Sequence, residues 1–530
     1  MVNLADFKTR QIIGVPNLGT CHGGAFVTPN TEYAHISSIT PRPITANGYD
    51  PLEKYADLYR GCSTWYHVDP KTGRPVPERS FQVEIPPYNQ DLADMGKLAS
   101  NGFGFINSFN TELAVGDKAG LEVGTTKNNF DYRAEDHVMT VAAKRAVRFM
   151  HHDASERPFI VIWEVTRACQ LVCTHCRADA IRARNPFELT TDEGRRLLDD
   201  LASFGSPRPL VVLTGGDPFE RPDLPELVAH GTGLGLSMAL SPSVTDRLTR
   251  PVLVELYDAG AKAVSLSLDG ATAESHDSFR GVDGVFDATL IAARTVTDVG
   301  LRLQINTTVT RGNVHELPRM LQTVLELGAS LWSVFFLVPT GRGKLLEPLT
   351  AAEEEEVLHW LHDVSTLVAI KTTEAPHFRR IAIQRAGIEA LDDVFPVGPL
   401  RSQLRCDTAE LLTGHEPERR PRPPIDVNSG RGFAFVDHVG KVYPSGFMPT
   451  AVGSVRDQPF PEIYRGSELL QELRNPDALG GRCGQCEFRT VCGGSRSHAF
   501  ATTGDPLAED PSCAYQPVPG RELDLMGEMN

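Results

Sequence analysis

Between residues 158 and 345, short β-rich runs alternate with helical patterns, and that alternation narrows the fold more than any other feature of the chain. Phe159–Val165, Leu210–Leu213, Leu236–Leu240, Ala263–Leu268, Leu303–Val309 and Leu331–Val338 read as strands. Thr191–Phe204, Asp246–Ala259 and Glu316–Leu327 carry the apolar spacing of helices. The pattern is that of a parallel α/β layout, and six units imply a partial, open (β/α)6 barrel. In such an architecture chemistry collects at the C-terminal ends of the strands.

At 530 residues the chain exceeds one ordinary core. Residues 1–157, rich in Gly, Pro, Asn and Thr, have the texture of short β-strands. Residues 346–424 read as a helical connector, opening on a charged helix at Ala351–Val368 and closing on the Pro- and Arg-rich linker Glu416–Pro424. Residues 425–530 form a small cysteine-bearing module. A net charge of −16 opposes a nucleic-acid surface, and no polybasic run suits an anionic membrane. Met1–Arg10 lacks a signal-like apolar region, and no stretch is apolar enough to span a bilayer. The expectation is a cytoplasmic protein with no nucleic-acid or membrane partner. In that reducing setting its ten cysteines suggest metal rather than disulfides.

Three of them, Cys169, Cys173 and Cys176, follow the first strand directly. A C-x3-C-x2-C loop can offer thiolates to three irons of a cubane and leave the fourth open to a ligand. A structural zinc loop completed by His175 is the competing reading. Thr214-Gly-Gly-Asp-Pro218 ends the second strand; paired glycines permit close backbone approach, and an acid there can hold an ammonium group. Ser265, Ser267 and Asp269 share one face of the fourth strand, as do Gln304, Asn306 and Thr308 of the fifth. Polar groups facing into a barrel need a ligand or one another.

Trp163-Glu-Val-Thr166, the three-cysteine loop, the Gly-Gly-Asp turn, Ser267-Leu-Asp-Gly270 with His276, Asp277 and Arg280, and Phe336-Leu-Val-Pro339 together resemble the radical S-adenosylmethionine (SAM) superfamily. The resemblance implies a [4Fe–4S] cluster on Cys169, Cys173 and Cys176 whose open iron chelates SAM. It assigns Gly215, Gly216 and Asp217 to the methionine amino group, Ser267, Arg280 and Asn306 to the ribose and carboxylate, and the backbone near Val338 to adenine. It also implies reductive cleavage of SAM, hydrogen abstraction by a 5′-deoxyadenosyl radical, and a small electron donor such as flavodoxin or ferredoxin.

Cys483-x2-Cys486-x5-Cys492 and Cys513 offer four ligands to one closed site, iron–sulfur or zinc on spacing alone. Val442-Tyr-Pro-Ser-Gly-Phe447, Gly453-Ser-Val-Arg456 and Cys492-Gly-Gly-Ser-Arg496 resemble the SPASM auxiliary-cluster module. Its fullest form holds two clusters, but Ser445 and Arg496 stand where that form has cysteines, and Cys406 is isolated. One auxiliary cluster is expected, two [4Fe–4S] clusters in all.

Gly14–Phe26, Pro86–Asp94 and Gly102–Glu112 resemble nitrous oxide reductase, with His22 at a copper-ligand position. The segment has length for about two propeller blades, short of the four or more a closed propeller needs. The leading expectation is radical modification of a peptide. Its rival is modification of haem or porphyrin side chains. A non-catalytic iron–sulfur electron carrier and a degenerate copper-reductase fusion also compete with these enzymatic readings.

Overall fold

The computed structural model describes residues 146–150, 152–386, 397–414, 419 and 421–518; for residues 1–145 it describes only the backbone of strand segments. The chain divides into two compact units, Met1–Val138 and Met139–Asn530. In the first unit Thr20–Val27, Tyr33–Pro41, Tyr59–His67 and Phe81–Ile85 pair antiparallel in sequential order. His22 falls on the first of these strands, and the expected propeller and copper role lie outside the described residues.

The second unit is built on one sheet. Its first six strands are β1 (Ile160–Glu164), β2 (Leu210–Thr214), β3 (Ser237–Leu240), β4 (Ala263–Ser267), β5 (Arg302–Val309) and β6 (Leu331–Phe336). All pair in parallel on the runs expected from sequence, β2 and β5 each reaching one residue beyond them. Two further parallel strands extend this series: β7 (Ile370–Thr373) joins β6, and β8 (Gly432–Val436) joins β1 on the other side. β9 (Lys441–Tyr443) and β10 (Gly453–Ser454) then add antiparallel, giving the order β7-β6-β5-β4-β3-β2-β1-β8-β9-β10. β7 and β10 do not pair, so the barrel is open. The expectation of six strands is corrected accordingly: the segments after residue 345 contribute strands to the same sheet.

The helices that follow the strands are α1 (Thr191–Ala202), α2 (Leu224–Gly233), α3 (Arg250–Asp258), α4 (Ala273–Arg280), α5 (Val285–Val299) and α6 (Leu317–Glu326). Beyond β6 come α7 (Ala351–Asp363), α8 (Phe378–Arg385), α9 (Pro399–Leu411) and α10 (Phe460–Gly466). α1 begins at a capping box in which Thr190 and Glu193 satisfy each other's backbone N–H, and it buries Leu197, Leu198 and Leu201. Gly194 in this helix makes room for Trp163: a Cβ there would lie 2.6 Å from the indole. α7 starts with the same box, Thr350 with Glu353, and its Trp360 meets Trp332 of β6 edge-to-face at 6.1 Å. Burial alternates along β5 because its odd-numbered residues pack on helices while Gln304, Asn306 and Thr308 look inward and stay partly exposed. The inward face of β5, the lumen face, is therefore less tightly covered than its helix side.

The C-terminal segment seats on this scaffold. Phe460 and Tyr464 of α10 pack edge-on against Phe204. Arg456 donates to both carboxylate oxygens of Glu193 at 2.8 and 3.0 Å, holding that carboxyl down to about 2. Upstream of β1, Val147 packs with Ile383, Phe488, Val491 and Cys492, Arg148 N–H donates to Pro424 O at 2.8 Å, and Met150 N–H donates to Asp426 at 2.9 Å. A chain starting at Asp153 should thus unfold more easily than one starting at Met139, by about 3 kcal/mol for a buried valine and two hydrogen bonds. Urea unfolding of the two truncations measures the difference; equal midpoints would show that residues 146–150 contribute nothing.

Candidate active site

The three-thiol loop leaves β1 and is pinned from three directions. Cys169 N–H donates to Ile181 O at 2.9 Å and Ile181 N–H to Arg167 O at 3.1 Å, closing the loop on itself. Its middle hangs on the C-terminal end of α4, through Val172 N–H to Arg280 O at 3.3 Å and Thr174 N–H to Phe279 O at 2.9 Å. From the segment after β6, Arg342 donates its backbone N–H to Cys176 O at 3.1 Å and its Nε to Cys173 O at 2.9 Å. Gly341 takes a left-handed φ of 53° there, and a Cβ would lie 2.5 Å from Cys176 O.

Each sulfur has a donor aimed at it. Leu171 N–H reaches Cys169 Sγ at 3.4 Å, Ala180 N–H reaches Cys176 Sγ at 3.5 Å, and Arg280 Nη1 lies 3.7 Å from Cys173 Sγ. Donors around the sulfurs suit thiolates that carry a cluster's negative charge. Burial pushes the Cys169 thiol up, so iron entry there must displace a proton. His175 stacks on Phe279 at 4.5 Å; burial, then the charges of Arg280 and Arg342, keep it well below its ordinary value and neutral. Among the described residues no three His, Cys, Asp or Glu side chains converge on the space of one ion. The thiolates of a cubane each meet a different iron, and three separate sulfurs on one loop suit that. The donor set fits a cluster.

The Gly-Gly-Asp turn packs closely against the loop. A Cβ on Gly215 would lie 2.5 Å from Thr166 O, and one on Gly216 would lie 2.4 Å from Ala168 O. Gly216 N–H donates to Thr166 O at 2.9 Å and Asp217 N–H to Ala168 O at 2.7 Å. Asp217 is fully buried, and its carboxylate accepts from Phe219 N–H at 3.1 Å and Thr245 Oγ1 at 2.7 Å. Burial raises it to about 6.

Ser267 and Asn306 lie opposite each other in the β4–β5 register, on the lumen face, and Gln304 Nε2 donates to Asn306 at 2.7 Å. Arg280 is buried and paired with Asp269, whose other oxygen accepts from Thr308 N–H at 2.6 Å. Burial opposes the guanidinium charge, but Asp269 and Cys173 outweigh it and its pKa rises. Val338 is buried past β6, and its carbonyl accepts from Thr340 N–H at 2.7 Å. The structure therefore brings Arg280 to the thiol loop and sets Ser267 and Asn306 side by side. Sequence reasoning missed Ser243, whose Oγ lies 3.4 Å from Cys169 Sγ and donates to Gly216 O at 2.8 Å. It also missed Gly341 and Arg342; the signal was Thr340-Gly-Arg-Gly343 at a strand end, the same logic applied to Gly215.

The second thiol set is similarly prepared. Asp510 N–H and Arg496 Nη2 point to Cys483 Sγ at 3.3 and 3.5 Å, and Gly494 N–H points to Cys492 Sγ at 3.5 Å. Burial pushes Cys486, Cys492 and Cys513 up to about 12. Ser445 and Arg496 are built into the protein: Ser445 donates to Glu374 at 3.1 Å, and Arg496 Nη1 donates to Pro506 O and Ala508 O at 3.0 and 2.7 Å. Cys406 is exposed on α9. No described helix is long and apolar enough to cross a membrane.

Residues 163–324 match the model of the radical SAM superfamily. The AdoMet-dependent heme synthase of Oleidesulfovibrio alaskensis is 41% identical over 369 residues, 69% of this chain and 89% of that protein. The AdoMet-dependent heme synthase of Methanosarcina barkeri is 38% identical over 68% of this chain and 97% of its own. The PqqA peptide cyclase of Rhodopseudomonas palustris is 31% identical over 69% of this chain and 89% of its own. Among solved structures, Streptococcus suis SuiB bound to S-adenosylmethionine shares the fold, with a TM-score of 0.51 at 14% identity over 86% of this chain and 96% of that one.

Proposed function

Because the chain belongs to the radical SAM superfamily, an enzyme family, we propose that it converts carboxyethyl arms of an iron porphyrin to vinyl groups, forming a haem. The observation that carries this reading is the gradient of likeness: 41% and 38% to proteins named heme synthases, against 31% to a peptide cyclase. Peptide modification, the leading expectation from sequence, gives way to its rival.

In this reading Cys169, Cys173 and Cys176 hold a [4Fe–4S] cluster, with SAM between Ser267, Asn306, Arg280 and the backbone near Val338. Gly215, Gly216 and Asp217, in the turn packed on the loop, would lie at the methionine amino group of SAM. Cluster and SAM together supply a hydrogen-abstracting 5′-deoxyadenosyl radical. On the substrate, removing one hydrogen atom and one electron from –CH2–CH2–COO− releases CO2 and leaves –CH=CH2. That balance requires a one-electron acceptor, a role that Cys483, Cys486, Cys492 and Cys513 would serve by holding a second cluster in a SPASM-like module. A small reductant such as flavodoxin or ferredoxin would deliver the initial electron.

The test is substrate dependence of SAM cleavage in the anaerobically reconstituted protein. Iron coproporphyrin III should raise 5′-deoxyadenosine formation at least about tenfold over the substrate-free rate, roughly the gain expected when a bound substrate positions the target bond. Stimulation by a short precursor peptide instead would return the assignment to peptide chemistry.

A further inference from the structure

β6 and β7 set three polar side chains together on the lumen wall, apart from the thiol loop. Lys371 lies opposite Ser333 in the parallel register, and Ser333 lies opposite Asn306. Residues opposite one another in a sheet point to the same face. The flanking Trp332 and Ile370 are buried on the helix side, so Ser333, Lys371 and Thr373 face the lumen. Ser333 is fully buried and its Oγ has no hydrogen-bond partner; Thr373 Oγ1 is buried and has none either. An unpartnered buried hydroxyl costs about 1–3 kcal/mol, a cost that a ligand accepting its proton removes.

The charge beside them is unusual for so acidic a chain. Lys371 is exposed, and desolvation of its ammonium, then the charge of Arg422, lowers it from its ordinary value. The charged groups acting on Arg422 are Arg148, Arg419 and Arg302, with no acid among them. Arg148 is fixed there by its Nε donating to Pro423 O at 2.7 Å. A lysine thus stands opposite one of two buried hydroxyls that have no partner among the described residues.

We propose that Ser333, Lys371 and Thr373 form a carboxylate subsite that holds a non-reacting carboxyethyl arm of the porphyrin. The assignment rests on the function proposed above. An ammonium and two hydroxyls supply donors to both oxygens of a carboxylate. Lys371 stands two residues before the end of β7, about 7 Å below the rim. An arm held there leaves the macrocycle at the strand ends, level with the thiol loop.

The experiment titrates reconstituted holoprotein with coproporphyrin III and with its uncharged tetramethyl ester, following the Soret band. Lys371→Ala should weaken tetra-acid binding about tenfold, the worth of one charge-assisted hydrogen bond, and leave ester binding within about twofold. Lys371→Arg, which keeps the charge and guards against a folding defect, should stay within about threefold of the parent for the acid. Equal acid affinity in parent and Lys371→Ala, with the parent binding normally, overturns the subsite alone. A parent that binds neither porphyrin overturns the functional reading and the subsite with it.

Discussion

Replacing Cys169, Cys173 and Cys176 together with Ala abolishes 5′-deoxyadenosine formation and lowers iron by about half, one cubane of two. The expectation follows from the asymmetry between the thiol sets. The first is a set of three, each sulfur facing a donor and the loop pinned by β2, α4 and the segment after β6. The second offers four thiols, which, on the reading proposed above, would close a cluster and leave no iron open. Chromatography of SAM incubated with dithionite and each protein makes the comparison, with iron assayed on the same sample. Full cleavage in the triple variant would move the catalytic centre to the second set.

Gly216→Val should be nearly as damaging without touching a ligand. The added Cβ would meet Ala168 O at 2.4 Å and Arg167 O at 2.7 Å, backbone atoms that cannot rotate away. The turn must then withdraw from the loop, breaking the Gly216-to-Thr166 and Asp217-to-Ala168 hydrogen bonds and shifting Cys169. A displacement of about 1 Å at reacting groups can cost about a hundredfold in rate, and that is the loss expected in SAM cleavage per assembled cluster. Gly233→Ala is the control: it lies at the end of α2, and its Cβ would meet nothing within 4 Å. Cleavage within threefold of the parent in Gly216→Val would mean that the close approach has no bearing on the cluster.

The six strands and the thiol loop were legible in the sequence because both are local signals: runs of Val, Ile and Leu, and cysteines closely spaced in one loop. β7 was not, since Ile370-Lys-Thr-Thr373 is short and polar on the lumen side, and only its pairing with β6 identifies it. The glycines of the second turn were found, but their reason was not. What they approach is Thr166–Ala168, a distant neighbour along the chain that spacing cannot reveal. Nor does spacing show that Asp217 accepts from Thr245 and Phe219. The choice between peptide and porphyrin stayed open because the cofactor residues serve either; groups such as Lys371 and Ser333, proposed above as a subsite, come from different strands and carry no motif.

The most direct measurement follows one hydrogen atom. Reconstituted protein is given SAM, dithionite and iron coproporphyrin III deuterated on its carboxyethyl arms, and both products are analysed by mass spectrometry. The expected result is deuterium in 5′-deoxyadenosine together with a porphyrin that has lost CO2 and gained vinyl groups. Unlabelled 5′-deoxyadenosine with the porphyrin recovered unchanged would contradict the account.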